Sequence, residues 1–123
     1  ATLRDVAPDG SARVLTKGWL RASQRALDTE KSTPYRPRQL HLEKETLLTG
    51  QSYSYAMEIR EVSNLFKAGH CLVLDVRGQD STAEDPIWVH TCNALPTQHI
   101  VQFGGNYPSH LLLPIIPTSG DAA

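Results

Sequence analysis

Cys71-Leu72-Val73-Leu74-Asp75-Val76 is a nearly continuous apolar run opened by the tight-turn signal Lys67-Ala68-Gly69. A run of this kind reads as a strand covered on both faces. Upstream, Tyr53, Tyr55, Met57 and Ile59 alternate with Ser54, Ala56, Glu58 and Arg60. That period of two predicts a strand with one face buried. Downstream, Ser109 to Ile116 places Leu111, Leu113 and Ile115 on one face and His110, Leu112 and Ile116 on the other. Pro114 and Pro117 have no N–H to donate, so this strand is predicted to lie at an edge or end there. A fourth candidate, Ser11 to Ala22, follows a Pro8-Asp9-Gly10 turn and carries Val14, Leu15, Trp19 and Leu20.

The connections are equally legible. Gly104-Gly105-Asn106 joins a short predicted strand, Gln98 to Phe103, to the last one, as in a hairpin. Thr29 to Arg38 contains Pro34 and Pro37 and reads as an extended surface loop. Gly78 to Pro86 is polar loop, and only Arg21 to Lys31 offers a helix, with a thin apolar face. Short strands with turns between them predict an all-β sandwich or jelly roll. One domain is expected over residues 1–117, with 118–123 as a flexible tail.

Composition narrows the function classes. Twelve Lys and Arg against thirteen Asp and Glu leave a formal net charge of −1, with the basic residues scattered. No nucleic-acid partner is expected from such a balance. No apolar stretch approaches the roughly 20 residues of a membrane span, so no membrane partner is expected either. The N-terminal residues include Arg4, Asp5 and Asp9, unlike a signal peptide. The compartment stays open, with a lean to the cytoplasm. The two cysteines, Cys71 and Cys92, form no framework, and both read as free thiols, Cys71 as a buried one.

Catalytic motifs are missing. No G-x-S-x-G nucleophile elbow, P-loop, G-x-G-x-x-G or H-E-x-x-H occurs, so neither a catalytic residue nor a cofactor is assigned. His90, Cys92 and His99 lie within ten residues but match no metal-site spacing, so no metal is assigned. Ser109, His110 and Asp75 could compose a triad only if geometry brought them together. His70 and His110 read as hydrogen-bonded structural residues, and His41 as a surface residue on an edge strand. Asp75 sits between Leu74 and Val76 and calls for an ion-pair partner such as Arg60 or Arg77. Trp19 and Trp88, flanked by aliphatics, read first as core. Two aromatics are nevertheless candidate ligand contacts: Tyr35, between Pro34 and Arg36 in the long loop, and Trp88.

Five phrases then carry a resemblance. They are Leu3-Arg4-Asp5-Val6-Ala7-Pro8-Asp9-Gly10; Gly18-Trp19-Leu20-Arg21-Ala22-Ser23; Ser32-Thr33-Pro34-Tyr35-Arg36-Pro37; Asn64-Leu65-Phe66-Lys67-Ala68-Gly69-His70; and Gly104-Gly105-Asn106-Tyr107-Pro108 running on to Pro117. In this order and spacing the chain resembles the C-terminal non-catalytic domain of X-prolyl dipeptidyl-peptidases, found also in cocaine esterase and related serine hydrolases. The resemblance implies a jelly roll, similar to galactose-binding-like domains, packed against an α/β-hydrolase catalytic domain and able to border its substrate pocket. The family's catalytic serine, aspartate and histidine lie in that other domain, and none maps onto this sequence.

The family domain is longer, with strands ahead of the point that aligns with Ala1. The chain therefore reads as the second half of the domain. Its unpaired edges would be covered by missing upstream strands or by a second copy, through strand pairing or swapping. The alternative function is a free-standing carbohydrate- or ligand-binding module on the same scaffold, which fold analogy alone supports.

Overall fold

The chain first reverses at Pro8-Asp9-Gly10. Gly10 takes φ +84°, a conformation that costs other L-residues energy. Its N–H donates to Ala7 O, and Ala7 N–H donates to Ser11 O, both at 2.9 Å. The Asp9 carboxylate accepts from the Ser11 N–H and hydroxyl at 2.9 and 2.6 Å, closing the turn from the side. This hairpin joins β1 (Thr2–Val6) to β2 (Ala12–Lys17). The computed structural model describes residues 1–79 and 98–116.

Pairing runs antiparallel from Val6↔Ala12 to Thr2↔Lys17, and the register shifts between Leu3 and Arg4, leaving Leu15 as the extra residue of a bulge. Beyond the strands, Ala1 and Gly18 exchange backbone bonds at 2.8 and 3.0 Å. Gly18 has no room for a side chain, because a Cβ there would collide with the Glu58 carbonyl oxygen.

β3 (Cys71–Asp75) pairs with the other edge of β1, from Thr2↔Asp75 to Val6↔Cys71. The order is β2-β1-β3, with β1 in the centre. The predicted turn before β3 is present: His70 N–H donates to Lys67 O at 3.0 Å and Gly69 takes φ +80°. Apart from one short 3-10 turn, Ala22–Gln24, the regular elements among the described residues are these antiparallel strands, and the fold is all-β. No helix among the described residues is long and apolar enough to cross a membrane.

Several predicted elements differ. Tyr53 to Arg60 forms no ladder. It lies beside the end of β2, joined by the Arg60 N–H donating to Lys17 O at 3.1 Å and by the Thr16 hydroxyl donating to Arg60 O at 2.7 Å. Alternation marks a strand only where a second strand offers its full edge, and here the contact ends after one step. Ser109 to Ile116 and Gln98 to Phe103 form no strands either. Between them Gly104↔Tyr107 makes a single bridge, with Gly105 at φ +53°. His41 lies outside any strand, at φ 53°. The possible helix over Arg21 to Lys31 shrinks to the 3-10 turn. Most of the Gly78–Pro86 loop, and the 118–123 tail, lie outside the described residues.

Burial is thin. Leu3 is the one buried hydrophobic residue among those described, beside buried Thr2, Asp5 and Lys17. β3 is not covered on both faces as its composition predicted: Leu72 and Leu74 are 36 and 37 % exposed. Cys71, expected buried, is an exposed free thiol. Trp19, expected in the core, is 38 % exposed.

Candidate functional site

Two places gather the side chains with chemistry to offer. The first lies where β1 meets the turn before β3. Asp5 points off the central strand, and its Oδ1 stands 2.7 Å from His70 Nδ1. Asn64 Nδ2 donates to Asp5 Oδ2 at 3.3 Å, and the Arg13 guanidinium lies 3.7 Å from the same oxygen. Arg13 also donates to Asn64 Oδ1 at 2.5 Å, which closes the network. The hydrogen bond from His70 holds the Asp5 carboxyl below its ordinary value of 3.8; burial works against it, and Asn64 and Arg13 assist. A carboxylate on an imidazole is the orienting half of a catalytic triad. No hydroxyl or thiol bonds to His70 among the described residues, and what the pair does in this structure is anchor the 64–70 segment to the sheet.

The opposite face of β1 carries Arg4, whose Nε donates to Asp75 Oδ2 at 2.6 Å, with Arg77 3.4 Å from the same oxygen. Asp75 thus has the ion pair its setting called for, with Arg77 as the lesser partner and Arg4, not Arg60, as the main one. The paper triad is not assembled. Asp75 is held by the two arginines, the Ser109 hydroxyl donates to Gln102 O at 2.6 Å, and His110 Nδ1 donates to Pro108 O at 2.7 Å.

The second place is the arm formed by residues 26–40. Asp28 N–H donates to Arg38 O at 2.7 Å, Leu40 N–H to Ala26 O at 2.9 Å, and Leu27 bridges Gln39. At its tip, Thr33 and Arg36 exchange reciprocal backbone bonds at 3.1 Å across Pro34 and Tyr35. Neither central residue has positive φ, so the turn lacks the backbone twist that keeps hairpin strands together. Below it the Ser32 hydroxyl substitutes for the ladder, accepting from Arg38 N–H at 2.9 Å and donating to Arg38 O at 3.3 Å. Tyr35 stands 77 % exposed at the tip, where the loop composition placed it. Trp88, the other candidate contact, lies outside the described residues, as do His90 and Cys92.

Beside this arm is an open depression of about 620 Å³ lined by Asp28, Lys31, Arg38, Gln39, Leu40 and Leu42. Asp28 is committed within it, accepting from the Glu30 and Lys31 N–H groups at 3.1 Å. Among the described residues no three His, Cys, Asp or Glu side chains converge to hold a metal ion.

An antiparallel β-domain whose polar side chains pin its segments together is the class that fold and site define. Residues 1–112 match the family described as the X-Pro dipeptidyl-peptidase C-terminal non-catalytic domain, and the chain belongs to that family. A domain of this description stands beside a catalytic one. Comparison with curated proteins and with solved structures returns no match.

Proposed function

We propose that this chain is the non-catalytic β-domain of an α/β-hydrolase-type serine hydrolase acting on ester or amide bonds. It packs against the catalytic domain and borders its substrate pocket. The observation that carries this reading is the disposition of apolar side chains. Leu3 alone is a buried hydrophobic residue among those described, while Leu65, Phe103, Ile115 and Ile116 are each more than 80 % exposed. Large apolar side chains left this exposed supply area that a second body could cover. On this reading residues 1–117 are the second half of a galactose-binding-like jelly roll. The outer edge of β3, unpaired among the described residues, is covered by upstream strands or a second copy.

The chemistry served is acyl transfer through a serine nucleophile, a histidine base and an oxyanion hole, all supplied by the partner domain. The chain contributes surface and shape. Purified alone, it turns over neither p-nitrophenyl esters nor X-Pro-nitroanilides above background. Mixed with the catalytic domain of its enzyme, it co-elutes with it and raises its melting temperature. Serine-dependent turnover by the isolated chain, or absence of any complex, overturns the reading.

A further inference from the structure

We propose that the Pro34–Tyr35 tip of the 26–40 arm is the peg by which this domain grips its catalytic partner, with the Tyr35 ring seated in an apolar pocket of that domain. The inference rests on the reading that the chain packs against a catalytic domain, and it assigns the residue that does the gripping.

Local chemistry does not account for Tyr35. A two-residue turn with negative φ at both central positions suits proline at the first, which Pro34 supplies. At the second, Asp, Asn, Ser or Gly would serve the turn with a small or self-bonding side chain. Tyrosine adds nothing to the turn, and its hydroxyl has no hydrogen-bond partner among the described residues. A large ring 77 % exposed on a turn that does not need it is a surface element aimed outward.

The arm beneath it is stiff. Besides the reciprocal Thr33–Arg36 bonds and the Ser32–Arg38 pair, Arg36 Nε donates to Glu58 Oε1 at 3.2 Å and Gln39 Nε2 to Ala56 O at 2.7 Å. Both tie the arm to the 56–60 segment, which is bonded in turn to the end of β2. The tip is therefore referenced to the sheet before any partner arrives. An aromatic held in place in advance loses little freedom on binding, which is the property of interface anchors.

A protein pocket fits this tip better than a sugar. Carbohydrate platforms need polar side chains beside the ring to read hydroxyls. The chain neighbours of Tyr35 are Pro34, which is apolar, and Arg36, whose Nε is turned to Glu58.

The test is nitration of Tyr35 by tetranitromethane, read by mass spectrometry on the chain alone and in complex with the catalytic domain of its enzyme. The free chain nitrates readily at Tyr35, and the complex protects it at least tenfold. In parallel, Tyr35→Ala weakens the complex on the order of tenfold or more while the melting temperature of the free chain stays unchanged; Tyr35→Phe retains most of the affinity. A complex that forms with Tyr35 as reactive as in the free chain overturns this inference and leaves the packing reading standing. Failure of the wild-type chain to form any complex, seen by size exclusion, overturns both. Protection of Tyr35 by soluble sugars in place of the catalytic domain also overturns it, in favour of a carbohydrate site.

Discussion

Asp5 and His70 meet at 2.7 Å across 65 residues of chain, on the central strand of the sheet. This contact and its Asn64 and Arg13 supports hold the 64–70 segment where β3 can start. His70→Ala removes the main donor to a carboxylate that is 7 % exposed and leaves it short of partners. The expected outcome is a melting temperature lowered by a few degrees, with His70→Asn retaining part of the loss. Thermal unfolding by circular dichroism reads it; an unchanged midpoint would show the contact to be idle.

The same pair sets an acid limit. Asp5, Asp9 and Asp28 are all held below 3.8, by the His70 hydrogen bond, the Ser11 side-chain hydrogen bond and the Lys31 N–H respectively. Near that pH the unfolded chain binds more protons than the folded one, so stability rises with pH there. The stabilisation is fully present above the unfolded value and is lost as pH falls through the lowered folded values. Urea midpoints should hold level above about pH 5 and fall below about pH 4. A Ser11→Ala variant should lose less on acidification, because Asp9 has then already lost the hydroxyl donor that lowers it most and keeps only the residue-11 N–H.

Two glycines separate space from backbone conformation. Gly18 does not have positive φ, but a Cβ there meets the Glu58 carbonyl and, at 3.0 Å, Ile59 Cα. Gly10 has φ +84° and open space around its missing Cβ. Gly18→Ala should cost about 1–3 kcal/mol by pushing the 58–59 backbone off β2. Gly10→Ala should cost about 1–2 kcal/mol through strain alone. Gly10→Asn, which tolerates the left-handed region, should recover much of that second loss, and no asparagine should rescue Gly18. Denaturant midpoints compare the three variants.

Leu3 tests how much of the fold rests on the one buried aliphatic side chain among the described residues. Leu3→Ala should cost about 2–3 kcal/mol, near the low end of such truncations because Leu72 and Leu74 beside it are partly solvated. In a domain with so thin a core that loss should remove the cooperative transition altogether. A cooperative melt within a degree of wild type would mean that other apolar contacts carry the fold.

Arg4 and Asp75 should couple by about 1–2 kcal/mol in a double-mutant cycle, since their side chains are only 13 and 25 % exposed. Adding Arg77→Ala should change the coupling little, because that guanidinium is 45 % exposed and 3.4 Å away.

The hairpin turn, the turn before β3 and the Gly104–Tyr107 bridge were all legible from glycine placement, because positive φ is written locally. β3 was legible from its apolar run, and β2 as the first half of the longer predicted strand Ser11 to Ala22, which ends at Lys17. β1 was not, although it is the centre of the sheet. Arg4 and Asp5 break its pattern, and the groups that bond to them, Asp75 and His70, lie far along the chain. The alternation of Tyr53 to Arg60 misled in the opposite direction, since period two records a preference and not a partner. Tyr35 was found through the prolines around it, whereas the Asp5–His70 pair had no local signal at all.

The strand order β2-β1-β3 also fixes a sequence of events. β1 and β2 are joined by a short turn and can form their hairpin early, while β3 must close a loop of dozens of residues before its first bond is made. Until then the β3-facing edge of β1 stays open, with Asp5 lacking its histidine. A ribosome releasing this chain therefore leaves that strand edge unpaired until β3 has emerged, and that interval is when mispairing between neighbouring nascent chains has its opportunity.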